Sequence, residues 1–416
     1  MIRAIKYIKA NGEELELDVI DMQPMSIIED LYNPYIHGSI VIQDRDSWQK
    51  ITYSKNDEIE FEISKPIYPL NDTDEFYNDN LIYRFQVYKI VQPPIDMNKR
   101  PFRSIIIHFT AGNIFNAYNT TISKMFKQRT FTEISKELLN KVDVASNHID
   151  ITKTKIDYCS PSWSPIKIIT DLSDRVLDEN NNGAFVFFQD LSGIVNFITI
   201  PSLFAGKMGE YENTKYYDYA SKTIIEENHS FNSSNNNRNK ILTLQILKTP
   251  NFMKLGNRGM YGTNFTYFDL DKNELKTIDM NITDKKLSGK IAEYINIDEN
   301  DIGKYLNNVI YVNRDNIYAS GIANTKMNRL MMDLIELQIS VPGYIDRKVG
   351  QIIDVEVPAQ LAEIYPEQYS YPDAIYSGKY LIRGINHTFY PREYLQTLNV
   401  VSNGINSDIN GNVIKW

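Results

Sequence analysis

The chain has 416 residues, 42% of them hydrophobic and 23% charged, and 44 basic against 53 acidic side chains give a formal net charge of −9. That length exceeds one ordinary core and predicts two to four globular domains, and the composition excludes a disordered chain. The acidic balance argues against a nucleic-acid clamp, whose affinity comes from cations on phosphates.

The N-terminus, Met1-Ile2-Arg3-Ala4-Ile5-Lys6, leads directly into alternation. This predicts a strand and no secretion signal, and no apolar window of about 18 residues is present to span a membrane. Residues 1–112 read as mostly β. Asn11-Gly12 is a tight-turn signal, and Gly38 to Asp44, Asp57 to Ile63, Ile82 to Ile90 and Phe102 to Phe109 alternate with period two. A polar interruption, 64–80, separates the second and third of these.

Residues 113–228 change character. Thr130 and Glu133 have capping-box spacing ahead of Ile134, Leu138 and Leu139. Ser164-Pro165 predicts a second helix start, with Ile168, Ile169, Leu172 and Val176 as its apolar stripe and Asn181-Asn182-Gly183 as its end. A hairpin, Ala184 to Gln189 and Ile194 to Ile198, turns around Ser192-Gly193. The section reads as a small α+β module. Its single cysteine, Cys159, excludes an internal disulfide and a cysteine-ligated metal site, and is expected to be a half-buried structural thiol.

Asn232 to Asn239 is a polar crossover, and Lys240 to Leu247 a strand. Residues 249–320, rich in Gly and Asn with aromatic strands such as Phe265 to Phe268, read as a β-rich insertion. Ala323 to Leu334 predicts a helix with Met327, Leu330, Met331 and Leu334 on one side. Glu336 to Val341 follows. Next come Gln351 to Val357, an interruption at 358–377, Lys379 to His387, and Tyr394 to Val401. The tail, 404–416, is polar and ends in Trp416.

The order of strand, Pro/Tyr-containing interruption, strand, strand therefore occurs twice, about 290 residues apart. A duplication of one small β-barrel is the expectation. The predicted domains are a first barrel at 1–112, the α+β domain at 113–228, a second barrel at 229–248 with 321–403, the insertion at 249–320 and the tail at 404–416. The fold class is mainly β with α+β insertions. Twenty-eight Tyr and 18 Phe suit half-buried sheets and interfaces.

Catalytic patterns are absent from the sequence. No two of His37, His108, His148, His229 and His387 have zinc-protease spacing, and His108 and His387 read as satisfied strand histidines. Asp269-Leu270-Asp271-Lys272-Asn273 begins like a calcium loop but has Glu274 where Gly is needed and Met280 where the bidentate Glu is needed. No catalytic residue, metal or cofactor is predicted. Glu58, Glu60 and Glu62 lie opposite Ile59, Phe61 and Ile63, and Asp354 and Glu356 lie opposite Ile353, Val355 and Val357. These five acids read either as a solvated outer face or as the lining of a channel that repels DNA.

The same segments carry a family resemblance. They are Ile28 to Asp44 followed by Asn56 to Phe61; Gly259-Met260-Tyr261-Gly262 with Tyr267 to Leu270; Leu337 to Gly343 with Val349 to Val355; and Gly378 to Ile382 with Leu395 to Leu398. In that order the chain resembles the baseplate central hub subunit of contractile-tailed bacteriophages, a family related to the trimeric base of type VI secretion spikes. The tail beyond Val401 has no counterpart. The resemblance implies two tail-tube-like antiparallel β-barrels per subunit and a homotrimer with a pseudo-six-fold ring. Its partners would be a hexameric tail tube protein, a trimeric spike protein, other baseplate proteins and the tape-measure protein. DNA would pass through without specific binding. It also implies a virion location, assembly in the host bacterial cytoplasm and no catalysis. The competing readings are a cell-wall or polysaccharide hydrolase and a glycan-binding tail protein.

Overall fold

The period-two alternation of the first hundred residues produces seven antiparallel strands: β1 (Ile2–Ile8), β2 (Glu14–Leu17), β3 (Met25–Asp30), β4 (His37–Asp44), β5 (Glu58–Ser64), β6 (Asn80–Val91) and β7 (Arg103–Thr110). They pair in the order β2-β1-β5-β6-β7-β4-β3. One side chain in two points inward, and Ile5, Tyr7, Ile27, Ile40, Ile59, Phe61 and Phe109 form a fully buried core. In this computed structural model the described residues are 2–17, 22, 24–44, 54–64, 80–91, 103–217, 241–259, 263–269, 272–280, 308–312, 316–332, 334–357, 376–390 and 393–402. The interruptions 65–79 and 358–375, His229, the Asn-rich crossover and the C-terminal tail lie outside them.

The middle section contains β8 (Met125–Thr130), β9 (Ser146–Ile149), β10 (Lys155–Cys159), β11 (Phe185–Gln189) and β12 (Val195–Thr199) among four short helices. Helix Phe131–Lys141 begins at the expected capping box: Thr130 accepts from the Glu133 N–H while the Glu133 side chain accepts from the Thr130 N–H. Helix Pro165–Ser173 is capped by Ser164, which accepts from the Lys167 N–H. This helix ends at Ser173, before Asn181. Asp178 takes over the next stretch as an Asx turn, accepting from the backbone N–H groups of Asn180 and Asn182. The hairpin β11–β12 is buried along its whole length, and Phe185 and Phe197 stack within the section's own core. Cys159 is exposed on β10, not half-buried, because its position points away from that core.

The remaining strands are β13 (Glu210–Tyr217), β14 (Thr243–Lys248), β15 (Thr263–Asp269), β16 (Glu274–Met280), β17 (Asn308–Val312), β18 (Ile335–Pro342), β19 (Ile352–Glu356), β20 (Gly378–Phe389) and β21 (Tyr394–Ser402). Strands β15, β16 and β17 form a separate three-stranded sheet. Helix Asn316–Met331 covers it with Ala319, Ala323, Met327 and Leu330. The helix begins seven residues earlier than Ala323, and Leu334 lies beyond its end in the core of the next sheet. Gly321 explains the difference. It breaks the helical signal, yet a Cβ there would lie 2.0 Å from the Arg175 carbonyl oxygen, so close packing requires glycine. At the failed calcium loop, Asp269 of β15 pairs with Glu274 of β16, and buried Asp269 accepts from Lys276 at 2.5 Å. That bond holds the Lys276 ammonium pKa up to about 12.

The two sets of strands pair in a corresponding order, with one difference at the end. The first copy runs β3-β4-β7-β6-β5-β1, and the second runs β14-β18-β21-β20-β19-β13. Val87 N–H donates to the Asp57 carbonyl, and Ile382 N–H donates to the Gln351 carbonyl. Immediately after each, the register slips, between Val87 and Lys89 in β6 and between Ile382 and Gly384 in β20. The copies differ at one end, where β1 is antiparallel to β5 but β13 is parallel to β19. Two closed barrels were the sequence expectation. Among the described residues no sheet closes, because the second half of β20 pairs with β3 and runs both copies into one 13-stranded sheet.

Candidate assembly interface

Counting from the Asp57–Val87 and Gln351–Ile382 bonds, Glu60 of β5 matches Asp354 of β19 and Glu62 matches Glu356, while Glu58 matches the apolar Ile352. Glu60 pairs across the ladder with Arg84, and Asp354 with Lys379. The Arg84 guanidinium donates to Glu60 at 2.6 and 3.1 Å and lies 3.8 Å from Glu58. Glu58, Glu60, Glu62 and Asp354 are partly exposed, and their neighbours Ile59, Phe61, Ile63, Ile353 and Val355 are buried. Glu356 lies on the same strand, opposite Tyr217 of β13. The two acidic strands are therefore laced with cross-strand cations, which lowers their net field.

The junction between the copies is the antiparallel pair β20–β3, from Gly384↔Asp30 to Phe389↔Met25. It encloses a buried polar network. His387 donates from Nε2 to Glu29 at 2.8 Å, and its Nδ1 accepts from the Tyr394 hydroxyl at 2.7 Å. Gln396 donates to that hydroxyl at 2.9 Å and to the Tyr344 carbonyl at 2.9 Å. Its carbonyl oxygen accepts from the fully buried Arg347 guanidinium. Glu29, His387 and Gln396 are 0–1% exposed, so water cannot replace a lost partner. Burial raises the Tyr394 phenol well above its ordinary range. Burial, with the Glu29 charge behind it, pushes Tyr83 up to about 12.

Of this network, sequence patterning singles out only His387, as a satisfied strand histidine, and that is what it is. Glu29, Tyr394, Gln396 and Arg347 escape notice. A usable signal existed for two of them: Glu29 sits between inward-facing Ile27 and Leu31, and Gln396 between inward-facing Tyr394 and Leu398. The other described histidines are peripheral. Burial lowers the pKa of His37 and His108, and the Lys89 charge adds to the effect on His108.

Several strand edges have no partner strand among the described residues, and two of them bear on assembly. One is the outer edge of β14, Thr243 to Leu247, which pairs only with β18. The other is Lys89–Val91 of β6, which pairs only with β7. These are the repeat equivalents of the two strands that meet in the β20–β3 junction. Edge strand β14 and its approach carry Leu242, Ile246 and Leu247, 40–41% exposed, an apolar edge that a solitary protein would ordinarily blunt with charge.

No family model matches the sequence, and no curated protein matches it. Solved structures do. A tail protein from Neisseria meningitidis is similar over 97% of this chain and 97% of its own, with a TM-score of 0.53 and 12% identity. The 43 kDa tail protein of prophage MuSo2 from Shewanella oneidensis is similar over 96% of this chain and 98% of its own, with a TM-score of 0.50 and 10% identity. The chain has the fold of these tail proteins. The likeness covers 96–98% of each chain. Among the described residues, no helix is long and apolar enough to cross a membrane.

Proposed function

We propose that this chain is a structural hub of a phage tail baseplate. It acts without turnover as a homotrimer, and each copy of the repeat forms one tube-like unit of a pseudo-six-fold ring. The observation that carries this reading is the internal junction. Copy two meets copy one through β20 and β3, and the equivalent edges, β6 beyond Val87 and β14, are left for a neighbour. Heterologous contacts of this kind close into a ring when the rotation fits. Three chains, each with one internal junction and one shared junction, then present six similar units.

Such a ring matches a hexameric tail tube protein on one face and a trimeric spike protein on the other. Other baseplate proteins and the tape-measure protein complete the partners, and the location is the virion tail baseplate after assembly in the host cytoplasm. Glu58, Glu60, Glu62, Asp354 and Glu356 are assigned to the channel wall. Support for this is their alternation with core residues on equivalent strands. Reversing all five charges should slow DNA delivery by assembled particles, and unchanged delivery removes the channel role.

Light scattering and electron microscopy of the purified chain test the hub itself. The expected species is a trimer of about 145 kDa, three chains of 48.3 kDa, or a monomer that trimerises with its spike. It should show a three-fold ring with a central hole. A monomer that forms no ring at any concentration, alone or with the spike protein, overturns the reading.

A further inference from the structure

Each rung of the internal junction has a counterpart in the repeat. The β6–β7 pairs Val87↔Phe109 and Lys89↔His108 match the β20–β21 pairs Ile382↔Val400 and Gly384↔Asn399. Ile90 and Val91 of β6 therefore match Ile385 and Asn386 of β20. On the other strand, Ile27 of β3 pairs with Gly38, and Gly38 with Phe109. Ile246 of β14 pairs with Leu337, and Leu337 with Val400, so Ile246 is the counterpart of Ile27. One rung on, Ile28 pairs with His37 and Lys248 with Glu336. Lys248 is thus the counterpart of Ile28, and Leu247 is an inserted bulge residue.

Burial separates these counterparts. Ile27, on a strand paired with β20, is 0% exposed, whereas Ile246 is 40% exposed. Leu337, opposite Ile246 on the ladder, is 0% exposed, so Ile246 faces the core side of its sheet. The first half of β20 pairs with β19 and its second half with β3. The first half of β6 likewise pairs with β5, but its second half meets only β7 among the described residues. Strands β14 and β6 are the two ends of the run β14-β18-β21-β20-β3-β4-β7-β6, and they do not pair with each other within one chain. A second copy can supply each end with the strand it lacks, and that contact is heterologous.

We infer that β6 of one chain pairs antiparallel with β14 of a second copy in the register of the internal junction. Asn386↔Ile28 sets Val91 opposite Lys248, and Ile385↔Glu29 sets Ile90 opposite Thr249. Ile246 is then covered as Ile27 is. The inference rests on the hub reading and adds to it the paired strands and their register. The shared junction has Thr249 where the internal one has Glu29, so it forms without taking a carboxylate out of water. That suits an edge that is wet until assembly.

The test uses full chains carrying Cys159→Ser, which removes the exposed native thiol. Each also carries one of V91C, I90C, K248C or T249C, and the variants are co-expressed in pairs. Lys248→Cys leaves Glu336 its Arg383 partner at 2.8 Å, and Thr249 is exposed, so these chains should fold. Samples that light scattering shows to be trimers are treated with oxidised glutathione and run on non-reducing gels. V91C with K248C, and I90C with T249C, should give covalent dimers, because opposed strand residues lie about 4.5–5.5 Å apart at Cα, within disulfide reach. The crossed mixtures, V91C with T249C and I90C with K248C, should give about tenfold less, since their side chains leave opposite faces of the sheet. Either expected pair suffices if a variant of the other misfolds. Trimers that link through a crossed mixture instead, or through none of the four, overturn this register and leave the hub reading in place. Failure to trimerise, alone or with the spike protein, removes both.

Discussion

Replacing Glu29 or His387 with alanine tests how the two copies are held together. The side chains belong to strands 358 residues apart in sequence, and their 2.8 Å hydrogen bond crosses the junction. Glu29→Ala leaves the His387 Nε2–H without an acceptor at a site with no water access, a loss of about 1–3 kcal/mol before packing is counted. His387→Ala is expected to cost more. Glu29 Oε2 already has no hydrogen-bond partner, so the carboxylate would be stranded, at about 3–5 kcal/mol. In the double variant both ends of the bond are gone. Its destabilisation should fall short of the sum of the singles by about 2 kcal/mol, within the range for contacting residues. Urea unfolding followed by circular dichroism gives the three differences. Native-state hydrogen exchange should place the loss at the amides of β3 and β20. Additivity within about 0.5 kcal/mol, or exchange changes confined to one copy, would refute the account of the junction.

Four further outcomes are expected. Gly321→Ala should destabilise by about 1–3 kcal/mol despite alanine's better helix propensity, because its Cβ would meet the Arg175 carbonyl at 2.0 Å; thermal denaturation measures it. Thr130→Ala removes one half of a capping box and should cost about 1 kcal/mol by the same measurement. Tyr83 and Tyr118 both have pKa values pushed up to about 12 by burial, so the folded state keeps protons that the unfolded chain releases above pH 10. Stability from these groups is complete below pH 10 and declines toward pH 12. The urea midpoint should therefore be lower at pH 11 than at pH 9, and Y83F should blunt the decline. Ile246→Lys with Leu247→Lys on the β14 edge should abolish trimers in light scattering while leaving the circular dichroism of the chain unchanged.

Local patterns carried much of this fold into the sequence. The alternation of β5 and β19, the Thr130 box and the Ser164-Pro165 start each reflect interactions within a few residues, and each is present in the fold. The recurrence of strand order was readable for the same reason, since each strand carries its own local alternation. What was not readable depends on distance or on packing. The β20–β3 pair joins segments whose own signals say only strand, and it is what opens the expected barrels into one sheet. Helix Asn316–Met331 hid its first turns behind Gly321, a residue chosen for a contact with the distant Arg175. The acidic strand faces were visible, but not the Arg84 and Lys379 ladders that flank them.

Because β3 waits for β20, the first copy cannot be finished while the ribosome is still writing the middle of the chain. The gap between their interacting residues is 358 positions, or roughly 20–70 s of synthesis at about 5–20 residues per second. Throughout that interval one margin of the nascent N-terminal sheet stays bare, with a carboxylate at Glu29 where its imidazole will later arrive. The β3–β20 pairing can form only after residue 389 has been made, and chains truncated or stalled before it should be the ones that aggregate.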